Sequence, residues 1–229
     1  EDGVTADFVD IDGRTRLNTT VLDPDGEYKI NHTGPLVDED DVAALVRRVA
    51  ERDPERLVIA GSLPRGVDTD AVDRLANAGD WATAVDMGGT FLTQLDAEYL
   101  VCKPNRDELA AATGRPVETI EDAVAAAREL CERGFEFVLA SLGADGALVV
   151  SERDAWYAPA IPVTVVDTVG AGDALLSGFL AGLTRGDPID GALQTAVVVA
   201  ARVVAVSGTS VPAMEDVFTE RDRVELQSV

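Results

Sequence analysis

Short stretches of alternating and of helically spaced apolar residues divide the chain into many small elements. Polar and apolar residues alternate over 14–21 and 28–30, on either side of Asp23-Pro-Asp-Gly26, which predicts a β-hairpin with a turn. From Asp38, a good helix cap, apolar residues recur at helical spacing as far as Val49. A strand over 57–60 is predicted to follow.

The alternation of helix and strand continues to the end of the chain. Helices are predicted over 69–78, near Leu92, and over 105–113, 119–134, 172–185 and 189–206, and strands over 83–86, 99–102, 137–140, 147–150 and 155–158. Helices and strands that alternate in this way form a mostly parallel sheet with helices on both faces. We therefore expect an α/β fold, with strand 155–158 antiparallel at an edge.

Composition limits the class of protein. With 229 residues, of which 46% are hydrophobic and 27% charged, the chain can bury one sizeable core. No apolar run approaches the roughly 20 residues that span a bilayer, so a transmembrane protein is excluded. Glu1 is not an initiator methionine and no apolar leader follows it, which indicates a fragment.

The charge of the chain is strongly negative. Asp and Glu number 42 against 19 Lys and Arg, which leaves a net charge of −23 at pH 7. Such a surface repels nucleic acid and anionic membranes, so neither is expected as a partner. Apart from Lys29 and Lys103 every base is an arginine. This imbalance favours a halophilic protein, in which concentrated salt screens the self-repulsion, over an ordinary acidic cytosolic enzyme.

Cysteine and histidine exclude several kinds of site. Cys102 and Cys131 are isolated, so neither a zinc site nor a disulfide scaffold is indicated. Free thiols suit a reducing compartment, and we expect a cytoplasmic location. His32 is the single histidine, which excludes a mechanism that needs a histidine cluster.

Ligands of a parallel sheet gather at the carboxyl ends of its strands. The loops there are Gly61-Ser-Leu-Pro-Arg-Gly66, Asp86-Met-Gly-Gly89, Lys103-Pro-Asn-Arg-Asp-Glu108, Ser141-Leu-Gly-Ala-Asp-Gly146 and Asp167-Thr-Val-Gly-Ala-Gly-Asp173. In the last loop, Gly170-Ala-Gly172 can turn backbone N–H groups toward an anion at a helix N-terminus. Asp173 could then accept a proton from a hydroxyl nucleophile, or could be an ordinary acid in the first turn of a helix.

Two further loops carry weaker signals. Asn105 and Glu108 share a face of a helix start, where they could hold hydrated Mg²⁺ or could simply cap the helix. Ser141, Gly143 and Gly146 could cradle a nucleotide or form only a turn. Neither a Walker-type phosphate loop nor a full dinucleotide fingerprint is present in the sequence, which disfavours a standard NTPase or dehydrogenase.

Taken in order, these motifs resemble those of the ribokinase-like (PfkB) carbohydrate kinases. Asp167-Thr-Val-Gly-Ala-Gly-Asp-Ala-Leu-Leu-Ser-Gly178 is similar to the C-terminal signature of that family. The Ser-Leu-Pro loop and the Lys-Pro-Asn stretch look most like the branch of 1-phosphofructokinases and tagatose-6-phosphate kinases. The resemblance covers Thr15 to about Pro212.

The resemblance implies a role for each motif residue. It makes Asp173 the catalytic base, and it makes Gly170, Ala171 and Gly172 the anion hole. Asn105 and Glu108 would hold Mg²⁺ through water, and Arg16 and Ser62 would contact the sugar phosphate. The residues implied to bind the nucleotide are Lys103, Ser141, Gly143 and Gly146. Asn18 lies two residues beyond Arg16 along the same predicted strand and is a further substrate-binding candidate.

The resemblance also implies an architecture and an activity. Residues 1–36 correspond to a β lid that covers the sugar and can mediate a homodimer, and residues 37–229 to a ribokinase-like kinase core that lacks its N-terminal strands. The implied reaction uses ATP and Mg²⁺ to convert fructose 1-phosphate to fructose 1,6-bisphosphate. The alternatives are a kinase of tagatose 6-phosphate, fructose 6-phosphate or an unphosphorylated sugar, and a catalytically inert fragment.

The charge predicts that stability depends on salt. We expect the protein to unfold in dilute buffer and to refold in molar KCl, because a short Debye length screens the repulsion among its carboxylates. Circular dichroism during a KCl titration measures this. Stability that stays constant from dilute buffer to molar KCl contradicts the high-salt interpretation.

Overall fold

The computed structural model of the chain describes residues 4–23, 26–208 and 210–229. Two compact units are formed: a smaller one, the described chain up to Leu57 with Gly61–Ala82, and a larger one, Val58–Ala60 with Thr83–Val229. Pro24 and Asp25, at the centre of the predicted hairpin turn, lie outside the described residues.

The smaller unit contains the predicted hairpin and two helices. Strands β1 (Asn18–Asp23) and β2 (Gly26–Asn31) pair antiparallel. Helix α1 (Glu39–Arg52) begins after Asp38, whose carboxylate accepts N–H groups of the first turn. Helix α2 is Thr69–Ala76. The hairpin and both helices are thus confirmed.

The main sheet has its strands in chain order. They are β3 (Arg56–Ala60), β4 (Ala82–Asp86), β5 (Tyr99–Cys102), β6 (Phe135–Ser141), β7 (Ala147–Val150), β8 (Ala155–Ala158) and β9 (Gln227–Ser228). Neighbours β4, β5 and β6 are parallel, whereas β6 to β9 are joined antiparallel. The carboxyl ends of β4, β5 and β6 therefore meet at one edge of the sheet, as expected for an α/β fold.

Helices connect and cover these strands. They are α3 (Gly89–Leu92), α4 (Arg106–Thr113), α5 (Ile120–Cys131), α6 (Ala171–Thr184), α7 (Ile189–Val204) and α8 (Val217–Glu220). Helix α5 starts with a capping box in which Asp122 accepts the N–H of Thr119 at 2.9 Å, so Asp replaces the usual Glu successfully. Within the described residues, no helix combines the length and the apolar character that a membrane span needs.

Helix α6 is fixed by close packing on α7 and on the sheet. A Cβ built on Gly182 would lie 2.7 Å from the Cα of Ala192, so only glycine lets the two helix backbones approach this closely. On the sheet side, the buried ring of Phe179 meets Phe137 of β6 edge-on, with centroids 6.1 Å apart. These contacts determine where the N-terminus of α6 points.

In the main sheet, the structure departs from the prediction at β8 and at β6. Strand β8 is not at the edge, because the short β9 pairs beyond it, with Trp156 opposite Ser228. Two residues are too few to show an alternating pattern, so β9 could not be predicted. Strand β6 begins at Phe135 rather than 137, since Gly134, with φ of 108°, turns the chain directly into the strand.

Candidate active site

The loops that follow β5 and β6 lie side by side. Asn105 and Ser141 form a parallel bridge, and the N–H of Ser141 donates to the carbonyl of Pro104 at 3.0 Å. A salt bridge of 2.8 Å between Arg106 and Asp145 joins the two loops further out. The loops 103–108 and 141–146, predicted to act together, are therefore adjacent.

Lys103 is buried at the start of α6. Its exposed fraction is 6%, and its Nζ lies 3.2 Å from Oδ1 of Asp86. A Cβ built on Gly172 would lie 3.0 Å from the same Nζ, so the ammonium rests directly on the first turn of α6. The sequence predicted Lys103 as a nucleotide-binding residue, and the structure brings its positive charge beside the predicted anion hole.

The glycine-rich turn sets up the head of α6. Gly170 is the N-cap residue in the left-handed region, with φ of 78°, and Asp173 is exposed in the first turn. The N–H of Ala171 donates to the carbonyl of Thr168 at 3.2 Å, within the turn. First-turn amides have no acceptor inside their own helix, and the N–H groups of Gly172 and Asp173 are of this kind.

Asp86 lies in a loop where the sequence predicted ligands, but the sequence assigned it no role of its own. It ends β4 and is partly buried next to Lys103. Burial raises the pKa of its carboxyl, the charge of Lys103 opposes that rise, and the charge of Asp173 adds to it. The three charged groups therefore act on one another. The available signal was the position of Asp86 at a strand end, where the sequence showed no recognisable motif.

Asn105 and Glu108 form a reciprocal capping box at the start of α4. Oδ1 of Asn105 accepts the N–H of Glu108, and Oε2 of Glu108 accepts the N–H of Asn105, both at 2.8 Å. The simple capping alternative is therefore present. A carboxylate has about four acceptor positions and an amide oxygen has two, so both side chains keep free lone pairs for the waters of hydrated Mg²⁺. Among the described residues, no three His, Cys, Asp or Glu side chains converge as a metal site.

The glycines of the loop after β6 have backbone reasons to be glycine. Gly146 has φ of 103°, and a Cβ there would lie 2.1 Å from the carbonyl oxygen of Ala158. Gly143 has φ of 63° but faces open space. Ser141 ends β6. The turn alternative thus accounts for Gly146, and nucleotide contact by Ser141, Gly143 and Gly146 stays a prediction.

A cleft of about 480 Å³ adjoins the head of α6. Asp173 and Gly170 lie at one side of it, and apolar residues of α7, such as Val199 and Val203, at another. Asp167 holds the turn in place, because its carboxylate accepts the N–H of Val169 at 2.9 Å and that of Gly208 at 3.0 Å. These backbone donors lower the pKa of Asp167.

In the smaller unit, the structure brings two predicted sugar-phosphate contacts together. Nη1 of Arg16 donates to Oγ of Ser62 at 2.9 Å. Asn18 begins β1 opposite Asn31. The prediction that Arg16 and Asn18 share a strand is wrong, because β1 begins at Asn18 and Arg16 precedes it. One backbone hydrogen bond extends the pairing past β1 and β2, since the N–H of His32 donates to the carbonyl of Leu17.

The clamp made by Asp167 predicts a change in acid stability. A carboxyl whose folded pKa lies below its ordinary 3.8 adds stability above that pH, and the contribution is lost as pH falls through the folded pKa. Asp167→Ala should lower the free energy of unfolding at pH 7 and should flatten its decline below about pH 4. Urea titrations in molar KCl at several pH values measure both effects. The exposed Asp154 provides the control, and equal acid slopes for Asp154→Ala and Asp167→Ala contradict the clamp.

Sequence comparisons agree on one family. A profile of the pfkB family carbohydrate kinases matches residues 1–216. The chain is 58% identical over 228 residues to a 1-phosphofructokinase of Haloferax volcanii. This alignment spans the whole chain and 75% of that protein. It is 32% identical over 232 residues to a 1-phosphofructokinase of Escherichia coli K12. That alignment spans 98% of the chain and 74% of the relative. The Haloferax relative supports the halophilic interpretation of the charge.

Other similarities extend to a different sugar kinase and to solved structures. A D-tagatose-1-phosphate kinase of Bacillus licheniformis is 34% identical over 199 residues, 84% of this chain and 65% of that protein. The structure of phosphofructokinase-2 from Escherichia coli in complex with potassium has a TM-score of 0.82 at 28% identity, over 91% of this chain and 71% of that one. By sequence profile, by relatives and by fold, the chain belongs to the pfkB family of carbohydrate kinases, which are phosphotransferases with an alcohol group as acceptor.

Proposed function

We propose that this chain is a 1-phosphofructokinase that uses ATP and Mg²⁺ to convert fructose 1-phosphate to fructose 1,6-bisphosphate. The observation that carries the proposal is the head of α6, where Asp173 lies in the first turn and the Lys103 ammonium rests on Gly172. A carboxylate, helix amides and a buried positive charge are the parts that phosphoryl transfer to a hydroxyl requires. The names of the relatives from Haloferax and Escherichia support fructose 1-phosphate as the substrate.

In the proposed mechanism, Asp173 acts as the general base. Its carboxylate accepts the proton of the sugar's free primary hydroxyl while that oxygen attacks the γ-phosphorus of ATP. The bond from the γ-phosphorus to the bridging oxygen breaks, and ADP leaves with that oxygen. Exposure of Asp173 in the first turn leaves its carboxylate accessible to a substrate.

The transferred phosphoryl group is stabilised by fixed positive groups. We assign this role to the backbone N–H groups of the turn Gly170, Ala171 and Gly172 and to the Lys103 ammonium, which lies beside Gly172. The Ala171 N–H donates a hydrogen bond to the carbonyl of Thr168, and this hydrogen bond must lengthen before the Ala171 amide can contribute. The Gly172 amide, by contrast, has no acceptor inside its helix and needs no reorganisation during the reaction, which is the source of its catalytic effect.

Nucleotide and metal are assigned to the adjacent loops. Ser141, Gly143 and Gly146 would contact the nucleotide, and Asn105 and Glu108 would hold Mg²⁺ through water. The free lone pairs of their capping box fit that metal. When bound, Mg²⁺ neutralises negative charge on the phosphates.

The sugar phosphate is assigned to the smaller unit. Arg16 presents a guanidinium beside the Ser62 hydroxyl, and a guanidinium can bind a phosphate through two parallel hydrogen bonds. Asn18 is included as a further contact of the sugar phosphate.

A second candidate function is phosphorylation of tagatose 1-phosphate, which the name of the Bacillus licheniformis relative favours. Both substrates carry the phosphate that Arg16 would bind.

The proposal includes a homodimer through the lid, residues 1–36, with residues 37–229 as the core. One face of the hairpin presents Leu17, Val21, Tyr28 and Ile30, which are 44–63% exposed. An exposed apolar face of this kind suits an interface, and phosphofructokinase-2 from Escherichia coli has a tetrameric form.

The oligomeric state tests this interface. Analytical ultracentrifugation in molar KCl should show a dimer for the wild type and a monomer for Tyr28→Lys. A monomeric wild-type protein contradicts the assignment.

The free thiols Cys102 and Cys131 support a cytoplasmic location.

Replacement of the proposed base tests the mechanism. Asp173→Asn should lower kcat about 10²- to 10⁴-fold while the KM values change little, because the amide cannot accept the proton. A coupled ADP-release assay with fructose 1-phosphate in molar KCl measures both constants. Asp190→Asn, in the first turn of α7, is the matched control and should be fully active. Near-normal turnover by Asp173→Asn refutes the assignment.

Replacement of Arg16 tests the substrate class. Arg16→Ala should raise KM for fructose 1-phosphate about 100-fold, because charge-assisted hydrogen bonds to the phosphate are lost. Any activity on plain fructose should stay unchanged. Arg14→Ala, an exposed arginine two residues away, controls for net charge. If Arg16→Ala keeps the wild-type affinity for fructose 1-phosphate, the phosphate contact is wrong.

A further inference from the structure

Asp86 and Lys103 form a partly enclosed ion pair at the head of α6. Their side chains are 16% and 7% exposed, and Oδ1 lies 3.2 Å from Nζ. An ammonium buried without a counter-charge is costly. Asp86 supplies that counter-charge, 3.2 Å from Nζ of Lys103.

Strand register creates the pair. Val85 of β4 lies opposite Cys102 of β5 in the parallel ladder, and the N–H of Lys103 donates to the carbonyl of Val85 at 3.0 Å. Next along the chain come Asp86, the last residue of β4, and Lys103, the first residue after β5. Two neighbouring strand ends thus place the carboxylate beside the ammonium without any contribution from a flexible loop.

The ammonium has donors to spare. It carries three N–H groups, and among the described residues its one ion-pair partner, Asp86, uses one of them. Because Nζ also rests against Gly172, the remaining donors lie next to the first-turn amides of α6. A phosphoryl oxygen that reaches those amides could accept a hydrogen bond from Lys103 as well.

The charge of Asp86 has the wrong sign for attracting a nucleotide. Asp86 and Asp173 are both acidic, and their charges affect each other. Together they outweigh the single positive charge of Lys103. A carboxylate at this position weakens the attraction of the site for the polyphosphate of ATP, so Asp86 does not act by attracting the phosphates directly.

We propose that Asp86 is a positioning residue for phosphoryl transfer, which holds Lys103 Nζ against the first turn of α6 at the expense of ground-state affinity for the nucleotide. This inference rests on the proposed kinase function. It predicts an unusual separation of effects, since loss of the Asp86 charge should impair the reaction without impairing nucleotide binding. A misplacement of about 1 Å in a catalytic group can cost about 100-fold in rate.

The test compares Asp86→Asn, Lys103→Met and the double variant in molar KCl. We expect Asp86→Asn to lower kcat about 100-fold, with an ADP dissociation constant that is unchanged or smaller by calorimetry. Lys103→Met should lower kcat and also weaken ADP binding. The double variant should resemble Lys103→Met alone, because Asp86 acts only through Lys103. Glu39→Gln, from the exposed pair of Glu39 with Arg74, is the control and should match the wild type.

Several results overturn the inference. An unchanged kcat for Asp86→Asn, weaker ADP binding by that variant, or additive effects in the double variant each contradict it. So does a rise in the Mg²⁺ concentration needed for half-maximal rate, which would make Asp86 a metal-binding residue. If Asp86→Asn does not fold, Asp86→Glu keeps the charge and should still lower kcat more than tenfold by displacing Nζ. A wild-type protein inactive on fructose 1-phosphate refutes the proposed function, whereas the ADP affinities of the variants still decide the role of Asp86.

Discussion

The arrangement at the head of α6 depends on keeping a positive charge buried where a helix N-terminus already has positive character. The Lys103 ammonium lies against Gly172, and the helix dipole repels it there. The carboxylates of Asp86 and Asp173 offset this repulsion. A group with several negative oxygens can accept hydrogen bonds from the ammonium and from the helix amides together.

The rest of the larger unit holds this charge cluster in a fixed geometry. Close contact of Gly182 with Ala192 sets the axis of α6, and the carboxylate of Asp167 ties the turn before α6 to Gly208. On the other side, the bridge between Asn105 and Ser141 keeps two strand-end loops adjacent. Preorganisation of this kind is what electrostatic catalysis requires, since groups that must move before reacting lose much of their effect.

Local patterns predicted most of the fold. Periodicity located the helices from Asp38 to residue 206 but not the short α8, and residue spacing identified capping boxes at Thr119 and Asn105, because such signals involve neighbours in the sequence. The motif residues of the α6 turn were found in the same way. Contacts across elements could not be predicted: the pairing of Asp86 with Lys103 follows from strand order, and the pairing of β9 with β8 from the path of the chain end.

The ladder between β4 and β5 has a consequence for how this protein can change. Side chains alternate between the two faces of a strand, so a single inserted or deleted residue within β4 would turn Asp86 toward the opposite face. The connection between these strands, residues 87–98, has no ladder register to keep, but it contains α3 and buries Leu92 and Leu95. Natural or engineered changes of length should therefore be eliminated within β4 and β5, because each would separate Asp86 from Lys103.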